Sequence, residues 1–172
     1  MSDYSYERRI LAGIQYARLF TPTKMDRREI NEILEMSRWA PSIANIQPWE
    51  VIAVDDPIEI HRISRLHPAG RLFEKAAVLF FVVTNPDASP HHILDAGSIT
   101  SYIALASSIR GWSVMILGLQ DDPVIKSELN IPPRLYLSSM VAVGKRASTI
   151  TYMTPRKPLN AIVYFNKYGL RH

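Results

Sequence analysis

The chain has no cysteine in 172 residues. That excludes disulfides, thiolate nucleophiles and cysteine-bound metals, and it fits an intracellular, cytoplasmic protein. Only five histidines occur, and there is no HExxH, GxSxG, GxGxxG or Walker loop. His92 and His91 stand three and four residues before Asp95, so a helical ligand pair can be drawn, but two ligands fall short of the three plus an open position that a catalytic metal site needs. The expected job of Asp95 is to cap the helix it begins. No apolar run reaches membrane-spanning length, and the first twenty residues lack the apolar core and small-residue cleavage site of a signal peptide. Neither sign of charge dominates: twenty basic residues against sixteen acidic give +4, scattered along the chain rather than gathered into a basic arm. A nucleic-acid role would rest on that excess alone, so neither nucleic acid nor membrane is expected as a partner.

What is present reads as one domain over residues 1–172, 47% apolar and 21% charged. Residues 4–18 place Ile10, Leu11 and Ile14 at helical spacing, and Pro22 ends that helix. A second helix follows from Asp26, whose side chain can cap it with Glu29 three residues on, and Pro41 closes it. "EVIAVDD" reads as a strand, "IEIHRISRL" as a helix and "AAVLFFVVTN" as a strand buried on both faces. From Asp95 the apolar residues Ile99, Tyr102, Ile103, Ala106 and Ile109 keep the 3.6 period to Gly111, and small residues thin one side for close approach. "SVMILGL" and "YLSSMVAVGK" are strands with the short helix "DPVIKSELNI" between them. Interleaved elements of both kinds give a two- or three-layer α and β domain. The acid pairs Asp55–Asp56 and Asp121–Asp122 precede prolines and read as turn chemistry. The apolar segment "NAIVYFNKYG" follows a polar, proline-punctuated arm; as a strand it is expected to dock onto its own sheet, the exchanged alternative being the rarer case.

No side chain stands out as a nucleophile or base, and an enzyme of that kind borrows its reactivity from a cofactor. The stretch "WAPSIANIQPWEVIAV" (39–54) is where such a cofactor would sit. Pro41 exposes the backbone of Ser42, Ile43 and Ala44. Asn45 and Gln47 each carry a donor and an acceptor, and Trp39 and Trp49 bring apolar area. A flat heteroaromatic ring with a polar edge needs that combination; a helix-ending loop whose amides satisfy buried backbone explains it too, and composition alone favours that loop.

"RWAPSIANIQPWEVIAV" resembles the flavin loop of the nitroreductase family of FMN-dependent NAD(P)H oxidoreductases, and further likenesses follow in order. "RLFTPTKMDRREINEILEMSRWAPS" is similar to the family's opening, "DAGSITSYIALASSIRGWSVMILGL" to its small-residue helix and following strand, "ELNIPPRLYLSSMVAVGK" to its next strand, and "TPRKPLNAIVYFNKYG" to its closing Arg-x-Pro and Asn-x-Tyr-Gly. The resemblance implies an α+β fold: a nitroreductase-like three-layer α/β/α sandwich with a central mixed, mainly antiparallel sheet and a carboxyl-terminal segment exchanged between subunits. It implies a homodimer with FMN at the subunit interface, so the terminal arm would clasp a partner. NADPH or NADH would be the reductant and a nitroaromatic, quinone or similar electron-poor small molecule the acceptor. Arg18 and Arg156 match positions that hold the FMN phosphate. Pro41, Ser42, Ile43 and Asn45 match the loop against the ring, where Gln47 adds a contact. Ile116, Leu117 and Gly118 match the strand end whose backbone approaches the flavin.

One departure bears on affinity. Where the family commonly has Arg-Arg-Ser-x-Arg, this chain has Ile14-Gln15-Tyr16-Ala17-Arg18, and Thr154 stands where a lysine is frequent. Each charge-assisted hydrogen bond lost costs about 1.5–3 kcal/mol, so two losses weaken binding roughly a hundredfold or more unless Lys24, Arg27, Lys157 or another base compensates. Three rival functions follow: a dimer of this fold with weakened or lost FMN that serves as a binding or regulatory protein, a flavoenzyme of different chemistry such as reductive dehalogenation or flavin breakdown, and a nucleic-acid binder.

Overall fold

Seven consecutive residues, Val78–Thr84, are each 2% exposed or less. Strand side chains alternate between faces, so this run has to serve two cores at once. In the computed structural model, which describes residues 10–147 and 155–170, it does. Leu79, Phe81 and Val83 join one apolar cluster while Val78, Phe80 and Val82 join another on the opposite face.

The elements run in the order β1 (Phe20–Thr21), α1 (Arg27–Ser37), β2 (Trp49–Val54), α2 (Pro57–Ser64), α3 (Gly70–Phe73), β3 (Val78–Thr84), α4 (His92–Ile109), β4 (Ser113–Gly118), α5 (Pro123–Glu128) and β5 (Tyr136–Arg146). Strand β5 pairs antiparallel with β3, β4 and β1, and β3 pairs antiparallel with β2. One parallel contact, the bridge Tyr16–Val114, makes the sheet mixed. The short helices α2 and α5, through Ile60, Ile63 and Ile125, cover one face together with Phe73 of α3. The other face is covered by α1 and α4, through Ile30, Ile33, Ile99 and Ile103. The result is the expected α/β/α sandwich.

Local chemistry sets most boundaries. The Asp26 carboxylate caps α1 by accepting from Glu29 N at 2.7 Å. Glu29 does not close the capping box: its carboxylate accepts from Arg110 and from Trp112 Nε1, tying α1 to the end of α4. Asp56 and Asp122 cap α2 and α5, each followed by a proline in the first turn. Glycine is required at two close approaches. A Cβ on Gly70 would meet Ser64 O at 1.6 Å, and one on Gly144 would meet the Phe20 ring at 2.9 Å.

Three expectations are corrected. A helix over 4–18 is not what residues 13–18 adopt. Helical structure ends at Leu11–Ala12, and the following chain runs along β4, with Val114 N donating to Gln15 O at 2.7 Å and Ala17 N to Val114 O at 2.8 Å. The open edge of β4 offers these residues backbone hydrogen bonds and buries Ala17, although most of the segment stays exposed. Helix α4 begins at His92, three residues before Asp95, and no side chain caps it; Asp95 lies inside its first turn. The terminal apolar segment forms no strand among the described residues. It makes a single 3-10 turn, Leu159–Ala161, and leaves Leu159 72%, Ile162 58% and Tyr168 90% exposed. The arm's residues 148–154, Thr154 among them, lie outside the described residues.

Candidate functional site

After α1 the chain turns sharply. Trp39, expected to add apolar area to a site, is instead 73% exposed with the Arg38 guanidinium 5.7 Å from its ring centroid. Three residues of the turn lack glycine's freedom and still adopt left-handed backbone: Ala44 (φ 51°), Asn45 (φ 56°) and Gln47 (φ 51°). Such residues cost on the order of 1–3 kcal/mol each and persist only where their surroundings dictate them, typically at binding sites. Here the surroundings are specific. The Ser42 hydroxyl accepts from Gln47 N at 2.9 Å, Gln47 Nε2 donates to Asn45 O at 3.1 Å, and the Asp95 carboxylate accepts from Ile43 N at 3.0 Å.

The turn thereby leans on α4. Pro41, Ser42 and Ile43 line an open cleft of about 540 Å³ with Leu94 and Asp95, floored by the small residues Gly97, Ser98 and Ser101 of α4. Gln47 points elsewhere, onto a smaller cleft of about 170 Å³ beside Glu50, Thr84 and Asn85. Asn45 is exposed and lines neither of these two clefts.

Asp95 is the residue that sequence reasoning misassigned. It is 2% exposed, its Oδ1 holds Ile43 N, and its Oδ2 is buried with no partner among the described residues. A carboxylate at the head of a helix signals a cap, and only the fold shows it spent on a loop 52 residues earlier. His92, once considered beside it as a metal ligand, shares a 2.8 Å hydrogen bond with Thr84 Oγ1 and packs edge-on against Tyr136.

Ile116, Leu117 and Gly118 end β4 in a distinctive setting. The backbone of Val114 points away from β5, since it bonds Gln15 and Ala17. Strand alternation then turns the N–H and C=O of Ile116 and Gly118 outward as well. Among the described residues no backbone group pairs with that edge beyond Tyr16. A Cβ on Gly118 would meet no atom within 4 Å, so backbone donors and acceptors stand open there.

Arg18 lies at the other end of β4. It is held between two backbone bonds, Ala17 N to Val114 O at 2.8 Å and Ala147 N to Leu19 O at 2.9 Å. From Val114 to Gly118 the strand advances about 13 Å at its usual rise. Arg156 is exposed at the start of the described terminal arm. Of the suggested compensating bases, Arg27 is already engaged, donating through both Nε and a terminal nitrogen to Asp55. None of the clefts described above brings the Pro41–Gln47 turn together with Arg18 or Arg156.

Comparison with known proteins agrees with this architecture. The Nitroreductase family model matches residues 17–69, the segment from Arg18 through the turn to α2 and beyond. No curated protein matches the sequence. Among solved structures, an FMN-dependent nitroreductase from Clostridium difficile superposes with TM-score 0.82 at 20% identity, over 92% of this chain and 98% of that one. A putative NADH dehydrogenase/NAD(P)H nitroreductase from Parabacteroides distasonis gives 0.85 at 17% identity, over 96% and 100%. An oxidoreductase containing FMN gives 0.85 at 21% identity, over 99% and 96%. The chain has the nitroreductase fold along nearly its whole length, and its segment 17–69 matches the Nitroreductase family in sequence.

Proposed function

We propose that this chain is an FMN-dependent oxidoreductase that draws on NADPH or NADH and reduces nitroaromatics, quinones or similar electron-poor small molecules in alternate half-reactions. The observation that carries the reading is the turn at residues 41–47. Three non-glycine residues are held there in left-handed backbone by Ser42 and Asp95, on the rim of an open cleft. A turn that only ended a helix would relax into less costly conformations.

The residues present fit the cofactor. The outward backbone of Ile116 and Gly118 suits the polar edge of a planar ring, and the absent side chain at Gly118 lets the ring approach. Arg18, about four strand residues away along β4, suits an anionic tail at the far end of the same molecule, and Arg156 brings a second guanidinium from the terminal arm. Pro41, Ser42 and Ile43, which line the open cleft, would meet the ring from the turn, while Asn45 and Gln47 stand outside that cleft. When bound, FMN supplies the hydride-accepting and electron-donating chemistry; the protein's part is to bind, orient and exclude water. The outward backbone of Ile116 and Gly118 would offer preorganised dipoles to the bound ring, and such dipoles need no rearrangement during reaction.

The site is assembled, on this reading, by two copies of the chain. The turn adjoins β2 and the ring-facing edge belongs to β4, and these strands lie on opposite sides of β5 and β3. One protomer would offer its β4 edge and arginines while its partner offers the turn. The exposed apolar arm, with Leu159, Ile162, Phe165 and Leu170 between 49% and 72% exposed, is the segment that would cross to the partner.

The absorption spectrum of the purified protein, before and after FMN and then NADPH, tests the reading. Flavin bands that bleach with NADPH and return on addition of a quinone are expected. A protein that stays colourless after FMN addition refutes the enzyme reading and leaves a binding or regulatory dimer of the same fold. Arg156→Ala is expected to weaken FMN retention sharply.

A further inference from the structure

We infer that the cleft between α2 and α3 binds a small phosphomonoester, with Arg65 and Arg71 as its phosphate-holding residues. The cleft owes nothing to the flavin reading above. It encloses about 320 Å³ and is lined by two guanidinium groups, Arg65 and Arg71, two imidazoles, His61 and His67, and one carboxylate, Glu74. Helical spacing gathers them: His61 and Arg65 are four apart on α2 and its C-cap, and Arg71 and Glu74 are three apart on α3 and its C-cap. Beneath them Ile60, Ile63 and Phe73 are each 1% exposed. Both helices are thereby anchored to the sheet face opposite the one that α4 covers. Their spacing is fixed as well. Gly70 packs so closely on the last residue of α2 that a Cβ there would meet Ser64 O at 1.6 Å.

Uncommitted charge marks the cleft. Arg27, Arg38, Arg62 and Arg110 each pair with a carboxylate. Arg65 and Arg71 pair with none among the described residues, although Glu74 lines the same cleft. Within the chain's mild excess of base this is a local concentration: residues 61–75 carry Arg62, Arg65, Arg71 and Lys75 against the single acid Glu74, a field that favours an anion. His67 adds a fixed donor. Its Nδ1 accepts from Ala69 N at 3.1 Å, and its ring packs against Phe73 with centroids 6.1 Å apart. With Nδ1 engaged as an acceptor, the neutral imidazole carries its hydrogen on Nε2. No three His, Asp or Glu side chains among the described residues are placed to hold a metal ion, so these imidazoles serve as hydrogen-bond donors. Two guanidinium forks and an imidazole N–H suit the oxygens of a phosphate. Glu74 narrows the class of ligand. A bare phosphate meets repulsion from this carboxylate, whereas a ligand hydroxyl donates to it. The ligand is a phosphorylated molecule with hydroxyl groups near its phosphate, as in a sugar phosphate.

Titration calorimetry of the full chain, saturated with FMN so that a flavin site is already filled, tests the cleft with ribose 5-phosphate, inorganic phosphate and ribose. Ribose 5-phosphate is expected to bind, inorganic phosphate to bind more weakly and ribose not measurably. Arg65→Ala and Arg71→Ala are each expected to weaken ribose 5-phosphate about tenfold or more, the effect of losing a charge-assisted bond. Both side chains are exposed, so the variants should keep the wild-type melting curve. Arg28→Ala removes an exposed charge from α1 instead and is expected to leave binding unchanged. Equal weakening by Arg28→Ala overturns the inference, since it shows diffuse attraction to a basic surface. Wild-type affinity in both cleft variants overturns it too, as does the absence of binding by ribose 5-phosphate. Inorganic phosphate that binds as tightly as ribose 5-phosphate overturns the assignment to a hydroxyl-bearing ligand. A chain that takes up no FMN refutes the flavin reading, and the same titration without FMN then judges the cleft alone.

Discussion

Asp95 offers the sharpest test of how the turn is held, because its two oxygens do opposite things. Oδ1 accepts from Ile43 N at 3.0 Å, while Oδ2 is buried with no partner among the described residues. A charge-assisted hydrogen bond contributes about 1.5–3 kcal/mol, and an unsatisfied buried polar atom costs about 1–3 kcal/mol. The two nearly cancel, so the carboxylate stabilises the domain little despite its 2% exposure. Asp95→Asn keeps an acceptor toward Ile43 and removes a buried charge, so its melting temperature should equal or exceed that of the wild type. Asp95→Ala loses the bond itself. It should melt below the Asn variant by the worth of a neutral hydrogen bond, about 1 kcal/mol, or roughly 2–4 °C for a domain of this size. Thermal unfolding followed by circular dichroism measures both, and hydrogen exchange at the Ile43 amide should show protection kept in Asn and lost in Ala. If Asp95→Asn proves several degrees less stable than the wild type, a cation pairs with Oδ2, and the description of an orphaned oxygen is wrong.

Three further outcomes follow from the packing. Gly70→Ala would drive a Cβ to 1.6 Å from Ser64 O; the main chain must move, so a large loss of melting temperature or of soluble yield is expected, whereas Gly97→Ala, with nothing within 4 Å of its Cβ, should fold normally in the same comparison. Phe81→Ala empties a fully buried site opposite Met140 and should cost about 3–5 kcal/mol in denaturant unfolding, a large share of a typical domain's stability. Glu29 is held below the usual carboxylate range, first by its hydrogen bonds from Arg110 and then by that of Trp112. A depressed folded pKa means that this stabilisation is complete above the unfolded value of about 4.3 and is lost as pH falls through the folded pKa. Glu29→Gln should therefore flatten the acid limb of the stability profile, and an unchanged acid limb would show that the Arg110 contact is not maintained in solution.

Much of this architecture was legible because local chemistry decided it. The Asp26, Asp56 and Asp122 caps, the prolines after two of them and the unbroken apolar run Val78–Thr84 each carry their own physical reason within a few residues. The segments that misled were those whose fate lay with distant partners. Residues 13–18 have helical spacing but pair with β4, and Asp95 has a cap's position but holds Ile43. Trp39 has the bulk of a core residue, yet it stays in solvent beside Arg38.

The candidate site divides along the same line. Sequence alone determined which residue types were present: the amide-bearing turn, the small-residue helix, the guanidinium groups and the lack of any side-chain nucleophile. Only the tertiary structure decided that the turn is pinned in left-handed backbone against α4 and that β4 leaves Ile116 and Gly118 facing outward. Caps and periodicity act over a few residues, so the chain records them locally. Strand pairing and burial join residues more than a hundred positions apart, and that information exists only once the chain has folded.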